Sequence, residues 1–191
     1  MIKTGLFGGS FNPIHCGHIH LARQLLRRAH LDEVWFLVSP QNPLKQDMRL
    51  APEEQRLEMV RIALRRFKRL SASDFEFHLP RPSYTWNTLQ ALSREYPDRE
   101  FTLLIGGDNW ERFPQWYRHD DILAAYQIAV YPRVDSPIDP AILPANVMLV
   151  KAETVDVSST QIRELLRNHQ SVAGLVPPSV ERYLLKEKMY V

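Results

Sequence analysis

The sequence is poor in cysteine and contains no long apolar run. Cys16 is the only cysteine among 191 residues, so no disulfide can form within the chain, and the reducing cytoplasm is the simplest location for it. No run of about 18 apolar residues is present, which predicts that no segment spans a membrane. The first residues also lack the charged-then-apolar pattern of a signal peptide, and we expect none.

Two common nucleotide-binding patterns are missing as well. The sequence has no Gly-x-Gly-x-x-Gly fingerprint and no Gly-Lys-Ser/Thr of a P-loop, and these absences argue against a dehydrogenase and a P-loop kinase. No recognised nucleic-acid-binding motif is present either. We therefore expect neither nucleic acid nor a membrane as a partner, while the sequence leaves a homo-oligomer open.

Charge is distributed unevenly along a chain of ordinary globular composition. The chain is 45% apolar and 24% charged, and its length fits a single domain, residues 1–191, with a C-terminal helical part from about residue 158. Residues 1–70 hold twelve Lys and Arg against six Asp and Glu, whereas residues 71–191 hold twelve against sixteen. The basic excess could attract phosphates. The cluster at residues 61–69 has helical spacing, however, which favours a solvated helix face.

Apolar patterns predict alternating strands and helices. Strands are expected at residues 2–7, 34–38, 70–77, 101–105, 128–131 and 147–150. Helices are expected at residues 18–29, 51–67, 85–95, 160–168 and 180–189. This alternation predicts an α/β, Rossmann-like three-layer fold, with a mostly parallel central sheet and helices on both faces. Ligands of such sheets bind beyond the carboxyl ends of the strands, where glycine pairs at residues 8–9 and 106–107 end two of them.

The turn after the first strand combines two glycines with two histidines. Gly8 and Gly9 allow backbone N–H groups to approach a ligand closely, and the helix that begins near Gly17 favours an anion at its N-terminus. His15 and His18 could both donate hydrogen bonds to phosphate oxygens. Two alternatives stay open: the pair could bind zinc, although no third ligand lies nearby, or one histidine could cap or support the turn.

A hydroxyl-rich segment follows the last predicted strand. Ser158, Ser159 and Thr160 are good helix caps, and the exposed N–H groups of a helix start can accept an anion. Arg163 lies one turn further into the helix, on the same face. Taken alone, this pattern is more typical of an ordinary cap followed by a surface arginine.

Together, the two segments resemble the signatures of the nucleotidyltransferase superfamily. Residues 8–18 resemble its (H/T)xGH motif, and residues 158–163 resemble its Ser-x-Thr-x-x-Arg motif, which holds the β- and γ-phosphates of ATP. The first has the Gly-Gly-x-Phe-Asp-Pro-x-His-x-Gly-His form of the bacterial nicotinate-nucleotide adenylyltransferases. Asn12 stands where that family usually has Asp; we interpret it as a turn-forming residue and expect activity to persist.

Further segments extend the resemblance over essentially the whole chain. Residues 82–85 resemble the loop whose backbone N–H groups receive the nicotinate carboxylate, and residues 105–108 and 113–116 resemble the family's Ile-Gly-x-Asp and Phe-x-x-Trp segments. Residues 131–133 resemble a segment beside the adenine. Lys45 matches a lysine that reaches the triphosphate, although Leu44 replaces the usual neighbouring His. Without the resemblance, Trp116 could equally be a core or lid aromatic.

The resemblance implies an adenylyltransferase that moves AMP from ATP to nicotinate mononucleotide and releases deamido-NAD and pyrophosphate. It assigns catalytic roles to His15, His18 and Arg163. The implied ATP-binding residues are Gly8, Gly9, Ser10, Phe11, Lys45, Gly106, Asp108, Arg133, Ser158, Ser159 and Thr160. The implied mononucleotide-binding residues are Ser10, Tyr84, Thr85 and Trp116.

No protein metal site is expected, because Mg²⁺ would be carried by the ATP phosphates. Two other acceptors remain as alternatives, nicotinamide mononucleotide and phosphopantetheine. A more distant alternative is a non-catalytic nucleotide-binding module.

Overall fold

The computed structural model describes residues 1–40, 50–132 and 136–191. The strands are β1 (Ile2–Gly9), β2 (Glu33–Val38), β3 (Leu70–Ser73), β4 (Arg99–Gly106), β5 (Gln127–Tyr131) and β6 (Val147–Leu149). The α-helices are α1 (Cys16–Arg28), α2 (Glu53–Leu64), α3 (Thr85–Glu95), α4 (Gly107–Arg112), α5 (His119–Ala125), α6 (Ser159–Arg167) and α7 (Pro178–Lys186). Short 3-10 helices span Phe75–His78, Phe113–Gln115 and Pro140–Ile142.

The strands form one sheet whose order is β3-β2-β1-β4-β5-β6. Every neighbouring pair of described strands is parallel, which confirms the predicted fold class. The chain winds outward in one direction from β1 and in the other from β4. A crevice therefore opens at the carboxyl ends of these two central strands.

Alternate side chains of the central strands build a core on each face of the sheet. Phe7 and Leu104 belong to the cluster that packs against α1, α2, α6 and α7. Their neighbours Leu6 and Leu103 belong to the cluster that packs against α3 and α5. Helices thus cover both faces, as the sequence predicts.

The third predicted strand is shorter than expected. Strand β3 ends at Ser73, and the Phe75–His78 segment forms a 3-10 helix instead. The N–H of Phe75 donates to Ser73 Oγ at 3.3 Å, and the N–H of Phe77 donates to the carbonyl of Asp74 at 2.8 Å. Phe75 and Phe77 pack against opposite cores, whereas residues two positions apart on a strand would point to the same face.

Helices α4 and α5 are absent from the sequence prediction. They have six and seven residues, so neither is long enough to show an apolar period.

Two further findings concern the basic cluster and the length of the helices. The basic side chains at positions 61, 65, 66, 68 and 69 are all exposed, as expected, but α2 ends at Leu64, so only Arg61 lies on a helix and the predicted helix face does not form. No helix in the described parts of the chain is both long and apolar enough to cross a membrane.

Candidate active site

A cavity of about 340 Å³ lies at the carboxyl ends of β1 and β4. Its lining includes ten of the residues predicted for the site: Gly8, Gly9, Ser10, Phe11, His18, Tyr84, Thr85, Asp108, Trp116 and Ser159. Residues from distant parts of the sequence therefore meet around one space.

The two glycines that end β1 serve different purposes. A Cβ atom on Gly8 would have no atom within 4 Å, so this part of the backbone is open to the space above it. A Cβ atom on Gly9 would lie 3.0 Å from the ring of Phe11. Gly8 thus leaves its backbone accessible, as the sequence predicts, whereas Gly9 makes room for a buried phenyl ring.

The two histidines form a reciprocal cap at the start of α1. His15 is the N-cap residue, and its Nδ1 accepts a hydrogen bond from the N–H of His18 at 3.3 Å. The Nδ1 of His18 accepts from the N–H of His15 at 3.2 Å. The rings stack with their centroids 3.6 Å apart and an interplanar angle of 22°. Because both Nδ1 atoms accept, each neutral ring carries its proton on Nε2.

This arrangement bears on the two open alternatives for the histidine pair. The pair does cap the helix, so the capping interpretation is confirmed. Among the described residues no group of three or more His, Cys, Asp or Glu side chains is placed to hold a metal ion. His18 lines the cavity, while His15, which is only 6% exposed, stacks against the ring of His18.

The second motif touches the first directly. Ser159 Oγ donates to the carbonyl of Pro13 at 2.8 Å, and Arg163 Nη1 donates to the carbonyl of Asn12 at 2.8 Å. Arg163 Nη2 also donates to Thr160 Oγ1 at 3.0 Å. Ser158 caps α6 by accepting from the N–H of Gln161. The start of α6 and the turn after β1 therefore form one unit.

Gly17 lies where the start of α1 packs closely against the residue before the second motif. A Cβ atom there would lie 2.8 Å from Val157 Cγ1 and 3.0 Å from His15 Nδ1. Real Cβ atoms do not come this close to other heavy atoms, so a larger residue would displace one of its neighbours. Gly17 is therefore required by packing between the motifs.

The cavity is lined by the start of α3 and by an aromatic wall formed by Tyr84, Trp116 and Tyr117. Tyr84 is the N-cap residue of α3 and makes no side-chain capping bond, and its ring lies 5.0 Å from that of Tyr117. Trp116 follows the Phe113–Gln115 helix and packs against Phe113, with ring centroids 5.4 Å apart. Its buried Nε1 has no hydrogen-bond partner among the described residues. Flat aromatic walls of this kind suit a flat heterocycle.

The carboxyl end of β4 supplies the remaining predicted residues that can be placed. Gly106 is the N-cap residue of α4, and Asp108 in its first turn lines the cavity. Two predicted ATP contacts, Lys45 and Arg133, lie outside the described residues, as does Leu44.

Comparison with known proteins agrees with this geometry. Residues 6–165 match the family model described as cytidylyltransferase-like. A probable nicotinate-nucleotide adenylyltransferase of Bacteroides thetaiotaomicron is 48% identical over 183 residues, which cover 96% of this chain and 91% of the relative. A relative of the same name from Cytophaga hutchinsonii is 44% identical over 99% of this chain and 98% of its own length.

The chain belongs to the nicotinate-nucleotide adenylyltransferase family. Solved structures share its fold at lower identity. The Plasmodium falciparum nicotinic acid mononucleotide adenylyltransferase complexed with NaAD matches with a TM-score of 0.84 at 19% identity, covering 100% of this chain and 98% of the other. A putative nicotinate-nucleotide adenylyltransferase of Vibrio parahaemolyticus matches with a TM-score of 0.75 at 23% identity, covering 100% and 96%.

Sequence reasoning missed Arg56, which is only 1% exposed. Its guanidinium donates to four backbone carbonyls, those of Ser10, Ser39, Pro40 and Ala51, at 2.6 to 2.9 Å. Burial lowers the pKa of Arg56 from its usual value. The available signal was its place four residues before Val60, on the apolar stripe of the helix. In this adenylyltransferase family member, Arg56 joins the ends of β1 and β2 to the start of α2.

Asn12 has a larger role than the turn-forming one predicted for it. Its buried Oδ1 accepts from the N–H of Ala51 at 3.0 Å and from the hydroxyl of Tyr190 at 2.6 Å. Burial raises the pKa of Tyr190, so the hydroxyl remains a donor at physiological pH. Nothing in the sequence pairs residues 12 and 190. Asn12 thus connects the turn after β1 to the segment just before α2 and to the segment after α7.

Glu76 is the third residue that sequence reasoning missed. It follows β3 and lines the cavity beside Ser83 and Thr88. The short segment around it resembles a strand in sequence, which hid the position of its carboxylate.

Proposed function

We propose that the protein transfers AMP from ATP to nicotinate mononucleotide, with deamido-NAD and pyrophosphate as products. An oxygen of the mononucleotide 5′-phosphate attacks the α-phosphorus of ATP, and the bond from that phosphorus to the β-phosphate bridging oxygen breaks. The observation that carries the proposal is the direct contact between the family's two phosphate-binding motifs at one cavity, made by Ser159 and Arg163 on the turn after β1.

The chemistry needs positioning and charge neutralisation rather than a general base, because the attacking phosphate is already an anion. His18 and His15 are assigned to the reacting phosphates. Their Nδ1 atoms are engaged in the cap, so Nε2–H is the group that each ring has to donate. Arg163 is assigned to the departing pyrophosphate, together with Lys45, whose position lies outside the described residues.

ATP is assigned to the crevice between β1 and β4. Gly8, whose backbone has open space above it, and Asp108 belong to this part of the cavity. Gly9, Ser10, Phe11, Gly106, Arg133, Ser158 and Thr160 complete the proposed ATP contacts.

The proposed magnesium ion arrives on the ATP phosphates. The groups at the β1 turn and the α6 start are imidazoles, hydroxyls and a guanidinium, which suit phosphate oxygens, whereas Mg²⁺ prefers oxygen ligands and retains its waters. The ion would neutralise phosphate charge. His18 and Arg163 then have to orient the two phosphate groups.

The pyridine ring is assigned to the aromatic wall and its carboxylate to the start of α3. Trp116 would stack on the ring, with Ser10 close by, while the N–H groups at Tyr84 and Thr85 would receive the carboxylate. A helix start without a side-chain cap carries partial positive charge. It therefore favours an acid over the neutral amide of nicotinamide mononucleotide.

Pyrophosphate release with separate acceptors tests this function. The protein is incubated with ATP and Mg²⁺ and, in turn, with nicotinate mononucleotide, nicotinamide mononucleotide and phosphopantetheine. We expect the highest kcat/KM with nicotinate mononucleotide, and a kcat on the order of 10²-fold lower or more in His18→Ala. Equal or faster turnover with nicotinamide mononucleotide would contradict the choice of nicotinate mononucleotide as acceptor. No pyrophosphate release with any of the three acceptors would indicate a binding module.

A further inference from the structure

A carboxylate that has no cationic partner among the described residues forms part of the cavity wall. Glu76 lies in the Phe75–His78 helix and reaches the cavity. None of the ion pairs within the described parts of the chain involves it. Burial raises the pKa of Glu76, because the charged form is poorly solvated at this position. A carboxylate in such surroundings costs stability, and a function that requires it would account for its presence.

Hydroxyl groups take the place of a cation around this carboxylate. Thr88 Oγ1 donates to Oε1 at 2.9 Å, and Ser83 Oγ donates to Oε2 at 3.4 Å. The hydroxyl of Ser39, just beyond β2, also lowers the pKa of this carboxyl and partly offsets the effect of burial. Ser83 is 7% exposed and Thr88 1% exposed, so water competes little for these bonds. Glu76 thus connects β3, the end of β2 and the start of α3.

Ser83 and Thr88 flank the turn that is assigned to the substrate carboxylate. Helix α3 begins at Thr85, and the N–H of Thr88 donates to the carbonyl of Tyr84 at 3.1 Å. Tyr84 and Thr85 both line the cavity. Glu76 therefore contacts both sides of this turn, through the hydroxyl of Ser83 before it and that of Thr88 after it.

We propose that Glu76 is a positioning residue for the acidic group of the pyridine mononucleotide. By accepting from Ser83 and Thr88, it holds the Tyr84 and Thr85 N–H groups at the angle that a carboxylate requires; this rests on the proposed function. Glu76 acts through the turn and has no part in binding ATP. The backbone N–H groups of the turn therefore select the substrate carboxylate, and the buried carboxylate of Glu76 sets the direction of these N–H groups.

Steady-state kinetics with both substrates test the proposal. Glu76→Ala and Thr88→Val each remove the link, and Glu76→Gln keeps an acceptor for Thr88. We expect Glu76→Ala and Thr88→Val to raise KM for nicotinate mononucleotide by about tenfold or more, the scale of one hydrogen bond to a charged group. KM for ATP should stay at the wild-type value, and the preference for acid over amide should fall. Glu76→Gln should show a smaller rise.

The exposed Glu95 at the end of α3, the helix that contains Thr88, provides a matched control. Glu95→Ala removes a carboxylate charge without touching the turn, and its KM values should match those of the wild type. Unchanged KM for the mononucleotide in folded Glu76→Ala and Thr88→Val would overturn the positioning role, as would an equal rise in both KM values. Wild-type protein that fails to use nicotinate mononucleotide in the same assay would instead remove the proposed function, and this inference with it.

Discussion

The imidazole rings of His15 and His18 are stacked, and the Nδ1 of each accepts a hydrogen bond from the backbone N–H of the other. A single arrangement therefore caps α1 and fixes the proton of each neutral ring on Nε2. In most proteins Ser, Thr, Asp or Asn provides such a cap. Here the cap is built from the side chains that are assigned to the phosphates.

Substitution can separate the two tasks of the histidine pair. His18→Ala should lower kcat on the order of 10²-fold or more, because it removes a donor to the transition state. His15→Asn should keep Tm close to the wild-type value, since Asn is a good N-cap residue, but should also lower kcat. Pyrophosphate release and thermal unfolding measure the two effects. A folded His18→Ala variant with wild-type turnover would refute the assignment.

Trp116 should affect substrate binding more than turnover. Stacking stabilises the ground state and the transition state alike, so Trp116→Ala should raise KM for the pyridine nucleotide by about tenfold and change kcat little. Trp110→Phe is the control, because Trp110 stacks on Phe113 outside the cavity lining. An unchanged KM in Trp116→Ala would exclude Trp116 from the pocket.

Arg56 should be among the most sensitive positions for stability. Arg56→Met would leave four carbonyls without their donor, and each buried unpaired group costs about 1–3 kcal/mol. We expect a loss of at least about 3 kcal/mol in the free energy of unfolding, measured in urea. Arg61→Met, at an exposed arginine of the same helix, should stay within about 0.5 kcal/mol of the wild type. Equal midpoints for both variants would contradict this role.

The link between Asn12 and Tyr190 gives a paired prediction. Tyr190→Phe removes a hydroxyl donor and should cost about 1 kcal/mol of stability. Asn12→Asp keeps both acceptor contacts and removes the buried Nδ2, which has no partner among the described residues. It should be at least as stable as the wild type and retain activity. Thermal unfolding of both variants decides the matter, and a strongly destabilised Asn12→Asp would show that the amide is needed.

Glu76 should make stability depend on pH. Its pKa is raised in the folded protein, so between the unfolded and folded pKa values the native state binds more protons than the unfolded state. Wild-type stability therefore falls as pH rises through that window. Glu76→Gln lacks this loss and should be more stable than the wild type at neutral pH, with the difference shrinking toward about pH 4. Glu95→Gln should show no such trend, and a pH-independent difference for Glu76→Gln would refute the desolvation account.

The parts of the molecule that sequence predicts are those in which the signal is local. Long apolar strands and amphipathic helices reveal the parallel sheet, and each phosphate-binding motif is contiguous. Helices α4 and α5 are too short to show a period. The 3-10 helix after β3 imitates a strand in sequence, because its two phenylalanines are two positions apart, but their rings pack on opposite cores.

The missed site residues act through partners far away in sequence. Arg56 donates to four carbonyls in three separate segments, and the hydroxyl of Tyr190 donates to Asn12 across 178 positions. Backbone carbonyls carry no residue identity, so no pattern in the sequence marks such bonds. The assignments of Lys45 and Arg133 stay predictions, since both lie outside the described residues.

Gly17 has a practical consequence for engineering. Because Gly17 has no side chain, Val157 and the ring of His15 can pack close to its backbone. The segment before α6 and the start of α1 therefore have complementary surfaces. A chimera that imports residues 8–18 from a relative without residues 157–163 would combine surfaces shaped for different counterparts. The two segments should therefore be exchanged as one cassette, although about 140 residues separate them along the chain.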